Sequence, residues 1–190
     1  MSAENFSIKS VKGISVCDTN VFIGDPKYLQ RQRKTTRTHF HIPFSVMHEL
    51  RKIAQERGTR RGYNARFFLG TLRDLFDDEL SGIVEINKGK NFLSIGEKQD
   101  PHPHFLIRHG RKNANFWILN SIFRLMIESP SARVSLKTAD KKLIERAKKF
   151  GIYAGSPDKS PKRYKSRVAF KKGGDGMSRK KNGHLGLFAR

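Results

Sequence analysis

The chain has 190 residues, 36% of them hydrophobic, which suits one domain with a hydrophobic core plus an appendage. Thirty-nine Lys and Arg against 17 Asp and Glu give a formal net charge of +22. Self-repulsion of that size points to an anionic partner, nucleic acid first. A lone cysteine, Cys17, excludes an intrachain disulfide and a cysteine-based zinc cage.

An anionic membrane is the rival partner, but neither a basic amphipathic helix nor a lipidation motif is found, and no run approaches the roughly 18 apolar residues of a membrane span. The N-terminus lacks the charged segment and apolar run of a secretory signal. The expectation is an intracellular, cytoplasmic protein with no membrane partner. Cys17 sits inside an apolar run, where a buried inert thiol is expected.

Ile14-Ser15-Val16-Cys17 reads as a buried strand stopped by the turn formers Asp18-Thr19-Asn20. Residues 25–39 are polar and basic and read as a surface connection, followed by a short strand at Phe40–Ile42. Pro43 suits a helix start, and Phe44, Met47, Leu50 and Ala54 recur at helical spacing up to Gly58. A second helix begins near Gly62 or Tyr63 and presents Ala65, Phe68, Leu72 and Phe76; Gly82–Ile86 reads as a strand. Residues 88–112 turn polar and basic and read as one long loop. A helix over Asn113–Glu128, a strand at Arg133–Leu136, a helix to Phe150 and a strand at Gly151–Ala154 complete the pattern.

Alternating strands and helices predict an α/β domain with a mainly parallel sheet over residues 1–156. Residues 157–190 form a basic tail, with eleven Lys or Arg and one acid, Asp175, from Lys159 onward. Such a segment cannot bury enough apolar surface to fold alone.

In a parallel α/β sheet, binding groups gather at the carboxyl ends of the strands. Asp18 and Asp140 each follow a strand, and Glu49 lies within the helix from Pro43. Together such acids suit a hard divalent cation. Taken singly, Asp18 also reads as a turn former or cap, Asp140 as a helix N-terminal acid, and Glu49 as a solvent-facing residue.

Val16-Cys17-Asp18-Thr19-Asn20-Val21-Phe22-Ile23-Gly24-Asp25-Pro26 resembles the opening of PIN domains, above all the branch fused to PhoH-type ATPases. Ile42-Pro43-Phe44-Ser45-Val46-Met47-His48-Glu49-Leu50 is similar to that branch's second element, Gly62-Tyr63-Asn64-Ala65-Arg66 to its next helix, and Thr138-Ala139-Asp140-Lys141-Lys142-Leu143 to its closing element. The resemblance implies a Rossmann-like three-layer sandwich and Mg²⁺- or Mn²⁺-dependent hydrolysis of RNA phosphodiesters. By position, Asp18, Glu49 and Asp140 would hold the metal, and Thr19 or Asn20 would orient Asp18 or bridge to substrate.

The departure is Asn115, which stands where the family pattern puts a fourth acid before an apolar helix. Three readings follow: a site that works with Asp18, Glu49 and Asp140 alone, an inert site on an RNA-binding fold, or an isosteric replacement that silences a nuclease. No ATPase phosphate loop accompanies the pattern, and Gly173-Gly174-Asp175-Gly176 is not one. The expectation is a free-standing PIN domain with a basic tail.

Candidate RNA contacts, besides Thr19 and Asn20, are Arg60, Arg61, Lys112, Lys162, Arg163 and Lys165. Phe116 and Trp117 read either as core or as base-stacking rings. His102, His104 and His109 suggest zinc only weakly without a helical histidine pair and read as part of a solvated loop. Three functions compete: a PIN endoribonuclease, a non-catalytic RNA- or ribonucleoprotein-binding protein on that fold, and a structure-specific DNA nuclease. A homo-oligomer is compatible with each.

Overall fold

A computed structural model describes residues 13–32, 37–76, 80–87, 91–98, 100–103, 105 and 113–157. The elements run β1 (Gly13–Cys17), α1 (Thr19–Gly24), α2 (Tyr28–Arg31), β2 (Thr38–Ile42), α3 (Phe44–Ala54), α4 (Arg60–Phe76) and β3 (Ile83–Ile86). They continue with β4 (Asn91–Ile95), α5 (Ala114–Glu128), β5 (Arg133–Lys137), α6 (Lys141–Lys149) and β6 (Tyr153–Gly155).

The six strands order as β3-β4-β2-β1-β5-β6, and every neighbouring pair is parallel except antiparallel β3 and β4. Central β1 is buried continuously from Ile14 to Cys17, because helices cover both faces of a parallel sheet. This is an α/β, Rossmann-type sandwich, as the sequence predicts. Among the described residues, no helix is long and apolar enough to cross a membrane.

Two sequence expectations need correction. Residues 25–39 are not only a surface connection: they hold α2, whose Tyr28 and Leu29 are buried, with the Tyr28 ring meeting Phe22 and Phe40 edge-on. Two apolar residues in a basic run suffice, since one helical turn points both inward. The segment 88–112 is not one loop either, because β4 lies inside it, between β2 and β3.

Strand β4 was concealed by its own polar residues. The Asn91 side-chain carbonyl accepts the Thr38 N–H at 3.2 Å. The Ser94 hydroxyl lies 2.7 Å from His39 Nε2 and 2.9 Å from His41 Nδ1. These bonds offset the cost of burying polar groups here, although Asn91 Nδ2 and His39 Nδ1 are buried without a partner among the described residues. Burial lowers the His39 pKa to about 4, and burial with the neighbouring His39 lowers that of His41 to about 3. Both rings are therefore neutral at physiological pH.

The core joins the helices to the sheet beneath the carboxyl ends of the strands. Phe22 of α1 stacks on Phe68 of α4, with ring centroids 3.9 Å apart and planes 11° apart. A side chain at Gly62 would meet the Glu56 carbonyl oxygen at 2.0 Å. Glycine there lets the first turn of α4 press against the end of the α3–α4 connection, and this seats Arg61 beside Glu56.

Candidate functional site

Asp18 directly follows β1, and its backbone N–H donates to the Lys137 carbonyl of β5 at 3.0 Å. Strands β1 and β5 pair in register through Cys17 and Lys137, so Asp18 and Thr138 leave the sheet side by side. The chain then turns into α1, with Asp18 as its N-cap. Asp18 is only 6% exposed.

Its carboxylate is held by three donors. The Thr19 N–H reaches Oδ1 at 2.7 Å, the Asn20 side-chain amide reaches Oδ2 at 2.7 Å, and the Thr138 hydroxyl reaches Oδ2 at 2.6 Å. Thr138, fully buried, has its hydroxyl proton committed to Asp18 and accepts from Asn20 Nδ2 at 3.2 Å and from the Asp140 N–H at 3.0 Å. Asn20 closes the ring by accepting the Ala139 N–H at 2.9 Å. Thr138 thus carries a role that sequence reasoning did not give it. Its signal was the adjacency to Asp140 at a strand end.

Glu49 projects from α3 and accepts the Thr19 hydroxyl at 2.6 Å. Thr19 therefore ties two carboxylates together, by its backbone to Asp18 and by its side chain to Glu49. It is 3% exposed and faces inward. Thr19 and Asn20 orient carboxylates here.

Asp140 is the N-cap of α6: its Oδ1 accepts the N–H groups of Lys142 at 2.8 Å and Leu143 at 3.2 Å. The capping role that the sequence allowed is real. Its Oδ2 accepts the side-chain amide of Asn115, from the first turn of α5, at 3.3 Å. Asn115 thus stands beside Asp140 as a donor, where an aspartate would stand as a second negative charge.

Burial raises the Asp18 pKa above the usual carboxylate value. Hydrogen bonds from Thr138 and Thr19 oppose that rise, and the nearby negative charges of Glu49 and Asp140 add to it. In a chain of net charge +22, none of these three acids is salt-bridged among the described residues, where the ion pairs are Arg31–Asp25 and Arg61–Glu56. Concentrated, cation-free negative charge suits a divalent ion. Among the described residues, however, no three His, Cys, Asp or Glu side chains are arranged to hold a metal ion. The donor set fits a hard cation bound through one or two carboxylates, with water completing its shell, rather than an all-protein cage.

Beside Glu49 opens a groove of about 830 Å³ between α3 and α5. Its walls include Phe44, Ser45, Lys52, Arg61, Lys98, Trp117 and Asn120. Phe116 is core at 4% exposure, and its ring meets Trp117 edge-on at 5.2 Å, so the two aromatic residues divide between interior and groove. Arg61 lines the groove and pairs with Glu56 at 3.4 Å, whereas Arg60 does not line it. Lys112, Lys162, Arg163 and Lys165 lie outside the described residues, as do His104 and His109. His102 packs its ring against Phe123 at 5.2 Å. Cys17 is buried, and burial pushes its thiol up to about 12, which makes it inert as a nucleophile.

The sequence from residue 15 to residue 157 matches the family model described as PIN domain. No curated protein matches. Among solved structures, the chain is similar to a domain of a functionally unknown protein from Methanocaldococcus jannaschii DSM 2661. Identity to it is 19% and the TM-score 0.48, over 80% of this chain and 96% of that one. The family match takes in Asp18, Glu49, Asn115, Thr138 and Asp140 together, and with it the chain belongs to the PIN domain family.

Proposed function

We propose that the protein is a metal-dependent endoribonuclease of the PIN type, akin to the PIN half of PhoH-type proteins, whose activity is weakened by Asn115. The observation that carries this reading is the buried, hydrogen-bonded Asp18 beside Glu49 and Asp140, with no cation salt-bridged to any of them among the described residues. Of Asp18, Glu49 and Asp140, one or two would hold Mg²⁺ or Mn²⁺ directly and the remainder through its water shell; the ion supplies Lewis-acid polarisation and an acidified water when bound. Thr19, Asn20 and Thr138 keep the carboxylates in place, so little reorganisation is needed on metal entry. Hydrolysis adds water across one P–O bond of the RNA backbone, and the leaving oxygen takes a proton. The net charge of +22 supports RNA as the partner, with the tail residues Lys162, Arg163 and Lys165 adding sequence-independent attraction and Lys112 and Arg60 further phosphate contacts.

The second reading is a non-catalytic RNA- or ribonucleoprotein-binding module. It is favoured by the Asn115–Asp140 hydrogen bond, which satisfies Asp140 without a metal. Incubating the purified chain with single-stranded RNA and Mn²⁺, beside Asn115→Asp, separates the two. Cleavage that appears or rises in Asn115→Asp and vanishes with Asp18→Asn supports the nuclease. Binding of RNA and metal without cleavage in either protein establishes the module. A matched single-stranded DNA tests the DNA-nuclease alternative.

A further inference from the structure

We propose that the groove beside Glu49 is a nucleobase subsite, in which an unpaired base of the RNA stacks on Trp117 and Phe44. It rests on the reading of the chain as an RNA-acting protein and adds what part of the RNA the protein grips. Paired nucleotides are excluded as a consequence, because a base within a duplex cannot enter.

Four observations carry it. The groove, about 830 Å³, falls within the roughly 300–1,000 Å³ typical of ligand sites, and Glu49 ties one end of it to the carboxylate cluster. Its aromatic wall is fixed from behind, since buried Phe116 meets Trp117 edge-on, while Phe44 is 38% exposed on the α3 side. One of its polar atoms is left over: the Ser45 hydroxyl is buried with no hydrogen-bond partner among the described residues. Asn120, 3% exposed, also lines the groove, its carbonyl already taken by the His102 N–H at 2.9 Å. Buried polar groups without partners are rare unless a ligand or water completes them.

The charges fix the orientation. Lys52 and Lys98 line the groove without an acidic partner among the described residues, and Arg61 is matched by Glu56. A purely cationic groove would track phosphates alone, whereas this one is near charge balance with an aromatic and amide interior. That composition suits a base within and the sugar-phosphate at the Lys52 and Lys98 rim. Recognition of single-stranded RNA commonly combines such stacking with hydrogen bonds to the splayed base.

Trp117 is the sole tryptophan of the chain, so the subsite reports on itself. The test titrates the full chain, in Ca²⁺, with a fluorescein-labelled octamer of adenylate and with octamers carrying one abasic ribose at each position in turn. Anisotropy reads total binding, and tryptophan fluorescence reads the groove. We expect saturable quenching with the intact octamer, a loss of roughly tenfold in affinity and most of the quench at one abasic position, and little loss elsewhere. Phe44→Ala and Trp117→Leu should lower affinity by a similar factor and remove the sensitivity to that position. Phe44 is the more exposed, and its variant keeps the test valid should Trp117→Leu disturb folding. RNA that binds by anisotropy with no quench and equal affinity at every abasic position overturns the subsite and leaves the RNA-acting reading intact. No RNA binding by anisotropy overturns that reading itself. Equal quenching by a hairpin duplex overturns the exclusion of paired bases.

Discussion

The side-chain amide of Asn115 donates to Asp140 at 3.3 Å, joining the first turn of α5 to the N-cap of α6. Asn115→Asp replaces that donor with a second carboxylate facing the first, so repulsion replaces attraction until a cation intervenes. In EDTA the variant should melt below the parent, and Mn²⁺ should raise its Tm by several degrees more than it raises the parent's. Mn²⁺-dependent RNA cleavage should rise by an order of magnitude or more. A parent that already cuts at the rate of the variant would show that Asn115 is not the limiting ligand.

Thr138→Val keeps the shape of a fully buried side chain but removes the hydroxyl that donates to Asp18 and accepts from Asn20 and Asp140. Denaturant unfolding should show a loss of about 1–3 kcal/mol. The Asp18 pKa, already raised by burial, should climb further, because one of the three hydrogen bonds that favour its charged form disappears. Mn²⁺ affinity measured calorimetrically should therefore fall at neutral pH and recover as pH increases. Parallel affinity-against-pH curves for parent and variant would contradict this role for Thr138.

Acid should weaken the fold through its two buried histidines. His39 and His41 have folded pKa values lowered by burial to about 4 and about 3. Unfolding frees both rings to protonate near pH 6.5, so the unfolded state binds more protons between that pH and the folded values. The stability associated with neutral rings is present above pH 6.5 and is lost as pH falls through the window. The loss is at most about 1.4 kcal/mol per histidine per pH unit. Urea unfolding at pH 7.5, 6.5, 5.5 and 5.0 checks it, and His41→Asn should roughly halve the slope. A flat profile in this range would mean that the rings are not held neutral.

Gly62→Ala places a methyl group 2.0 Å from the Glu56 carbonyl oxygen, against backbone that cannot swing aside. The first turn of α4 has to move, at a cost of about 1–3 kcal/mol. Because Arg61 and Glu56 both line the groove, tryptophan emission should shift as well as Tm. Gly70→Ala, inside α4 with nothing within 4 Å, is the control: it should leave the emission unchanged and, by helix propensity, raise rather than lower Tm.

The alternation of elements, and the family itself, are legible in the sequence because hydrophobic periodicity and the Asp18-Thr19-Asn20 turn are local signals. Asp18, Glu49, Asn115 and Asp140 can be named by resemblance. Their supports are harder to read. Thr138 matters through a bond to Asp18 across 120 positions, and its place beside Asp140 at a strand end hints at the site without naming that partner. Strand β4 is hidden for the same reason: Asn91 and Ser94 look like loop residues until Thr38, His39 and His41 arrive to meet their hydrogen bonds. The groove is wholly tertiary, since it joins α3 and the chain after β4 to α5. Neither composition nor spacing encodes a space between helices.

The pairing of β1 with β5 has a consequence for synthesis. Strand β1 is made among the first elements, but the Thr138 hydroxyl that steadies Asp18, and Asp140 beside it, come more than a hundred residues later. Contacts of such long range form late, because the intervening chain must be closed before they are rewarded. A nascent chain that has exposed α1 to α4 therefore carries Asp18 and Glu49 without the rest of the cluster. If the assembled cluster acts on RNA as proposed, it cannot begin on the messenger or ribosome that is making it until β5 and the start of α6 have emerged.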